Sequence, residues 1–208
     1  MKIVVLGATG GTGLEIVRQA IEQGHAVTAF VRSPERLRPF RDHINVQQGN
    51  LLSGSELEEV LQSQDAVLSA FGPRVPIAKT DENLLREFAA VLTLAMLRAE
   101  VQRLIVESSA FLFKDSIIPP TYIAGKLLFP SVVTDASGME EIIQRSPLDW
   151  TLIRPPRLTD GPRSAKYRVR EGHLPWFGFS ISRADVAHCF LRALNEKRWT
   201  RKIVGASR

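Results

Sequence analysis

Short unbroken apolar runs alternate along this chain with longer stretches whose apolar side chains recur every three or four positions. Ile3-Val4-Val5-Leu6 is apolar on both faces, as a central strand covered on each side must be. Ile16, Val17, Ala20 and Ile21 then repeat at helical spacing after Gly13, and Gly24 fits the position just past a helix end. The same reading predicts strands at Ala26–Val31, Ile44–Val46, Ala66–Phe71, Arg103–Glu107, Trp150–Ile153 and Lys202–Val204. Between them it predicts a helix opened by the capping box Ser55–Glu58, one capped by Thr80 and running to Arg98, and one from Asp135 to Gln144. A last helix is capped at Ser182-Arg-Ala-Asp185 and runs to Leu194. Strand and helix alternate throughout, so the expected fold is α/β: one Rossmann-type domain over residues 1–208, a doubly wound parallel sheet flanked by helices. Phe111 to Val133, with Pro119, Pro120 and Pro130, breaks the pattern and is expected to be a functional loop or to hide a short helix. Substrate-site elements are expected at 111–133 and 156–180.

The turn after the first strand reads Gly7-Ala-Thr9-Gly10-Gly11-Thr12-Gly13. Gly7 lets the chain turn sharply off the strand, and Gly10 leaves room for a pyrophosphate to approach the backbone. Gly13 lets the helix pack closely on the sheet, and the free N–H groups at the helix start attract phosphate charge. The spacing is Gly-x-x-Gly-x-x-Gly, and its place at the first strand-to-helix turn of an alternating chain is what gives it weight. The end of the second strand decides between dinucleotides. An acid there would bond the adenosine 2′-hydroxyl, whereas this chain offers Arg32-Ser33 with Arg36 a turn later. Guanidinium and hydroxyl donors match a 2′-phosphate, so the expected cofactor is NADP(H).

Composition removes several alternatives. The 208 residues are 44% apolar and 24% charged, enough for one domain with a real core. Cys189 is the only cysteine, so neither an internal disulfide nor a cysteine-based zinc site can form, and its helical setting suits the core. His25, His43, His173 and His188 are scattered, and no metal site is expected. The apolar run at the N-terminus is too short for a signal sequence, and nothing approaches a membrane span. The expected setting is cytoplasmic, without membrane or nucleic-acid partners, as a monomer or weak dimer.

The landmarks GATGGTG at Gly7, VRSPERL at Val31, GN at Gly49, QDAVLSAFG at Gln64, SSAFLF at Ser108, DWTLIRPPRLTDGP at Asp149 and ISRADVAHCFLRAL at Ile181 together resemble one family. It is the atypical short-chain dehydrogenase/reductase superfamily, and within it the flavin reductase or biliverdin-IXβ reductase group, with NmrA-like proteins as more distant relatives. The resemblance implies that Gly7, Thr9, Gly10, Gly11, Thr12 and Gly13 hold the pyrophosphate and Arg32, Ser33 and Arg36 the 2′-phosphate. It implies that Asn50 and Leu51 face the adenine, and that Phe71, Gly72 and Arg74 line the cofactor on its ribose side. Ser109, with Ser108 before it, would lie beside the nicotinamide, and Pro155 and Pro156 would close the carboxamide end.

Ser108-Ser109 end the fifth strand, where ligands of such sheets bind, and Ser109 is the candidate catalytic residue: its hydroxyl can bond the nicotinamide or the acceptor or relay a proton. Tyr122-Ile-Ala-Gly-Lys126 has the Tyr-x-x-x-Lys spacing of a short-chain dehydrogenase acid, in which the lysine lowers the tyrosine pKa. Counting back from Arg154-Pro155, however, the family's tyrosine and lysine positions fall near Val132 and Ala136. The preferred reading makes 111–133 a flap, with Phe111, Phe113 and Tyr122 available to stack on a substrate. A chemistry that tolerates the loss of a tyrosine acid is hydride transfer to a planar conjugated anion, such as FMN or another flavin as substrate, or a linear tetrapyrrole such as biliverdin. Arg157, where the biliverdin-reducing relatives carry histidine, would pair with an acidic group of that substrate. The alternatives are a non-catalytic NADP(H)-binding redox sensor and a carbonyl reductase or epimerase-like enzyme using Tyr122 and Lys126.

The formal net charge is +5. Arg154, Arg157, Arg163, Lys166, Arg168 and Arg170, against the single acid Asp160, carry all of that surplus within one short segment. The segment follows the sixth strand, so the expectation is a positive field at the ligand mouth that favours anions.

Overall fold

The computed structural model describes residues 1–72, 83–116 and 120–208. Strands β1 (Lys2–Leu6), β2 (Ala26–Val31), β3 (Asn45–Gln48), β4 (Ala66–Ser69), β5 (Arg103–Glu107), β6 (Asp149–Arg154), β8 (Arg168–Glu171) and β10 (Lys202–Ser207) form one sheet. Its order is β3-β2-β1-β4-β5-β6-β10-β8. Every pairing in it is parallel except β8, which runs antiparallel to β10 at the edge. β7 (Arg157–Thr159) and β9 (Ser180–Ser182) make a separate two-stranded parallel pair.

Helices cover both faces, as the unbroken apolar strands require. In β1, Ile3 and Val5 pack on one side with Ile16, Val17 and Ala20 of α1 (Gly11–Glu22) and Val186 and Phe190 of α6 (Arg183–Asn195). Val4 and Leu6 pack on the other side, with α2 (Gly54–Leu61), α3 (Leu84–Arg98) and α5 (Pro130–Arg145). The architecture is therefore the expected single-domain, doubly wound Rossmann type.

The stretch 111–133 hides a short helix, one of the two expectations for it: it holds α4 (Thr121–Leu128) and the start of α5, with Pro120 at the N-cap of α4 and Pro130 in the first turn of α5, where a missing N–H breaks no helical bond. Several other elements differ from expectation. α2 begins at Gly54 with Ser53 as N-cap, and Glu56 reaches back to the Asn50 N–H at 2.9 Å, so the cap lies two residues before Ser55. β4 stops at Ser69, two residues short, after the Ala70 N–H makes a last bond to the Leu6 carbonyl at 3.0 Å. The Thr80 cap lies outside the described residues. α3 begins at Leu84 and is capped from across the interface: Asp135 of α5 accepts the Leu85 and Arg86 N–H groups at 2.8 and 3.0 Å. At the other end of the chain, Ser182 caps α6 as its sequence suggests, accepting the Asp185 N–H at 3.0 Å.

Candidate active site

The strand order reverses between β1 and β4, and at that point their loops part to open a crevice beyond the strands' carboxyl ends. Gly7 turns there with φ of +72°, and a Cβ on it would lie 2.6 Å from the Ala70 carbonyl oxygen. No L side chain fits that contact. Gly13 is held just as tightly, since its Cβ would fall 2.1 Å from the Gly7 oxygen. α1 starts at Gly11 with no side-chain cap and no acid in its first turn, so its leading N–H groups stay available to an anion.

A cavity of about 1060 Å³ runs from this loop in both directions. At one end stand Arg32, Ser33, Arg36, Asn50 and Leu51, with Phe30 and Leu52. Arg36 also donates to the Thr9 carbonyl at 2.6 Å, tying the basic end to the glycine loop. Phe71 and Gly72 line the middle, and Ser108 and Ser109 the far end. The cavity thus brings Gly7, Thr9, Gly10, Gly11 and Thr12 together with the residues named for the 2′-phosphate, adenine, ribose and nicotinamide, among the described residues. Arg74 lies outside the described residues.

The two serines differ. The Ser108 hydroxyl donates to the Glu140 carboxylate, which is buried and bound at two points by Arg154. The Arg154 guanidinium lies 4.7 Å from the centre of the Phe113 ring. Ser109 accepts the Phe111 N–H at 3.2 Å, and among the described residues its own proton has no acceptor, so it can be offered to a ligand.

Other named residues stand away from the cavity wall. Phe113 is fully buried in a small cluster with Ala110 and Leu174, so it is core rather than a free stacking surface. Phe111 packs under Gly125 of α4 and stacks on Phe129 at 5.9 Å. Tyr122 and Lys126 share α4, with the lysine nitrogen 5.3 Å from the tyrosine ring centre, and neither lines the cavity. Pro155 is buried and its carbonyl accepts the Ala110 N–H at 3.0 Å, so it braces the serine turn, and Pro156 beside it is half-buried. Arg157 is exposed on β7. The positions reached by counting back, Val132 and Ala136, do line the cavity, joined by Met139, Leu84 and Leu85 in an apolar wall, while Leu158 lines it from the α1/α6 side of the sheet.

The basic segment 154–170 does not form the expected field. Arg154 is buried and neutralised by Glu140, and Arg163 pairs with Glu22 at 3.3 Å. None of the six lines the cavity; its described cationic residues are Arg32, Arg36 and Arg183. Closeness in sequence did not become closeness in space.

Among the lining residues that escaped the sequence reading are Arg183 and Glu107. Arg183, the first residue of α6, lies over Gly11, where a Cβ would meet its Cδ at 2.6 Å, and pairs with Asp160 at 2.5 Å. It was absorbed into the α6 capping motif. Glu107 ends β5 and accepts from the Thr12 hydroxyl at 3.3 Å. Burial pushes its carboxyl up to about 7, against the pull of Thr12 and the Arg183 charge. An acid at the carboxyl end of an otherwise apolar central strand was the available signal. Asp185 is different: burial would raise it, but bonds from Ser164, Ala165 and Ser182 hold it below the usual carboxylate range, and it pins the 162–165 loop. Cys189 is fully buried and pushed up to about 12 by that burial, so it belongs to the core.

Among the described residues no group of acids, histidines and cysteine is arranged to hold a metal, and no helix is long and apolar enough to cross a membrane.

Residues 7–197 match the family described as NAD(P)H-binding, and the chain belongs to that family. A chloroplastic protein of Arabidopsis thaliana, itself uncharacterised, is 29% identical over 98% of this chain and 75% of its own length. A short-chain dehydrogenase/reductase from Veillonella parvula, solved in complex with NADP, superposes with a TM-score of 0.81 at 18% identity, covering all of this chain and 94% of that one. ChuY of Escherichia coli O157:H7, described as an anaerobillin reductase, also gives 0.81 at 18% identity, covering all of this chain and 97% of that one. Both structures share the fold.

Proposed function

We propose that this member of the NAD(P)H-binding family is an NADPH-dependent reductase that passes hydride to a planar conjugated acceptor, a flavin such as FMN or a linear tetrapyrrole. One observation carries the reading. The far end of the cavity combines Ser109, whose hydroxyl donates to no other group among the described residues, with an apolar wall of Val132, Ala136 and Met139, and no tyrosine or lysine among the described residues lines the cavity. Reduction of a ketone needs a positioned acid for the alkoxide oxygen. An extended conjugated acceptor spreads the incoming charge over many atoms and is satisfied by orientation and a weak donor.

The residues present fit a dinucleotide phosphate. The glycines leave the backbone bare at the start of α1, while Arg32, Ser33 and Arg36 supply guanidinium and hydroxyl donors after β2, beside a single lining acid, Glu35. When bound, NADPH would supply the hydride. The chain's part is then to bind and orient: the α1 amides and Arg183 hold the pyrophosphate, Arg32 and Arg36 the 2′-phosphate, and Asn50 and Leu51 the adenine. Ser109 donates to the ring system or its acceptor, and the Val132–Met139 wall excludes water from one face of it. The likeness to ChuY favours a tetrapyrrole within this class.

The test is NADPH consumption by purified protein with FMN, riboflavin, biliverdin isomers and a dye acceptor. Turnover above the protein-free rate with at least one, and its loss in Ser109→Ala with NADPH affinity retained, supports the reading. Tight NADPH binding with no turnover on any acceptor would overturn it in favour of a sensor.

A further inference from the structure

The pyrophosphate stretch of the cavity, beside the glycine loop, contains an acid where an anion is meant to arrive. Glu107 lines the cavity beside Gly10, Gly11 and Thr12, and the Thr12 hydroxyl, a natural phosphate donor, is already given to its carboxylate at 3.3 Å. Facing it from α6 is Arg183, whose guanidinium reaches outward to Asp160, a side chain that is 90% exposed. From α1 the facing polar group is Thr12; from the loop after β7 it is Asp160, acting through Arg183. The other acid of the cavity, Glu35, stands at the opposite end with Arg32 and Arg36. A carboxylate and a diphosphate brought this close repel each other strongly.

We propose that Glu107 and Arg183 make this subsite proton-linked: an anionic dinucleotide binds with uptake of one solvent proton by the Glu107 carboxylate, while Arg183 exchanges Asp160 for the phosphates. Protonation converts Glu107 from a repelling anion into a neutral donor and frees the Thr12 hydroxyl to turn towards the ligand. The exchange at Arg183 is cheap because Asp160 is exposed and its ion pair is weak in water. The geometry also explains why an acid persists at a phosphate site. It holds Thr12 and the start of α1 in place when no ligand is there, and is silenced when one arrives. The inference rests on the dinucleotide reading of the cavity and says how that binding responds to pH.

The experiment is titration of wild type and Glu107→Gln with NADPH, followed by nucleotide fluorescence from about pH 6 to about pH 9. NADH is run in parallel, because the 2′-phosphate of NADPH titrates near ~6 and works in the opposite direction. Calorimetry of the wild type in buffers of different ionisation enthalpy counts protons taken up, so the proposal stays testable even if the variant does not fold. The expected result is a wild-type Kd that weakens by about tenfold per pH unit above neutrality for both nucleotides, with uptake of about one proton. Glu107→Gln should bind with a Kd independent of pH in that range. A wild-type Kd that does not change with pH, no proton uptake, or the same pH profile in Glu107→Gln overturns the proton link while leaving the site intact. Failure of both nucleotides to bind either protein at any pH overturns instead the dinucleotide reading beneath it.

Discussion

Arg154 grips the buried carboxylate of Glu140 with two guanidinium nitrogens, and the same carboxylate receives the Ser108 hydroxyl at the cavity wall. The pair joins β6 to α5 below the predicted nicotinamide end. Removing one partner strands a charge in a dry setting, which costs about 3–5 kcal/mol, far more than the net worth of the pair. Glu140→Ala should therefore lower stability by about that amount in urea unfolding, and Arg154→Ala likewise. The double variant Glu140→Leu/Arg154→Met should recover most of the loss. If the single variants unfold like wild type, the pair is not buried in solution.

Glycines of the loop should differ in how they tolerate alanine. At Gly13 the added methyl would meet backbone, the Gly7 oxygen at 2.1 Å and the Ala8 Cα at 2.8 Å, which cannot move without shifting α1 off the sheet. At Gly11 it would meet only the Cδ and Nε of Arg183, the middle of a flexible side chain. Gly13→Ala is expected to give insoluble or strongly destabilised protein. Gly11→Ala is expected to keep a melting temperature close to wild type but to weaken NADPH binding by about tenfold or more, since the methyl stands where backbone and phosphate should meet. Thermal denaturation and nucleotide fluorescence separate the two.

The basic end of the cavity makes a prediction about cofactor choice. Arg32 is an exposed lining residue at the end of β2, whereas Arg36 also bonds the Thr9 carbonyl at 2.6 Å. Arg32→Ala should weaken NADPH by about tenfold to a hundredfold and leave NADH nearly unchanged, because it touches only the 2′-phosphate. Arg36→Ala should weaken both, the loop having lost its brace. Equal loss of NADPH and NADH in Arg32→Ala would show that the arginine does not read the phosphate.

The parts of this site that were legible in the sequence are those where backbone and function demand the same residues. Gly7 must turn at positive φ, Gly13 must admit a helix, and both needs appear as glycine at fixed offsets from an apolar strand. Arg32 and Ser33 follow their strand directly, so finding β2 was finding them. Tertiary partners were not legible. Glu140 and Arg154 are 14 residues apart in the chain, on different elements, and nothing local marks either as the other's counter-ion. The α4 helix was legible only as one of two alternatives, and without bounds, because Pro120 and Pro130 read as breaks although each sits where a helix begins. β7, β8 and β9 are three or four residues long and largely polar, too short to show alternation, and nothing in so short a run shows that β8 pairs antiparallel with β10.

Glu107 also predicts an unusual dependence of stability on pH in the absence of nucleotide. Its carboxyl is raised from 4.5 to about 7 in the fold, chiefly by burial. Between those values the native state holds a proton that the unfolded chain has released. Stability from this group is therefore full below about 4.5, falls as pH rises through the window, and is lost above about 7. With about 1.4 kcal/mol for each pH unit, the charged form costs the fold about 3 kcal/mol at alkaline pH. Glutamine keeps the shape and can still accept from Thr12, but carries no charge. Near pH 5 wild type and Glu107→Gln should unfold at nearly the same urea concentration, and near pH 8 the variant should be more stable by a large part of that ~3 kcal/mol. The rest of the titrating chain is common to both proteins, so the difference between the two curves isolates Glu107. A difference that stays constant from pH 5 to pH 8 would mean that the carboxyl is already ionised at the lower pH and that the end of β5 is wetter than its packing indicates.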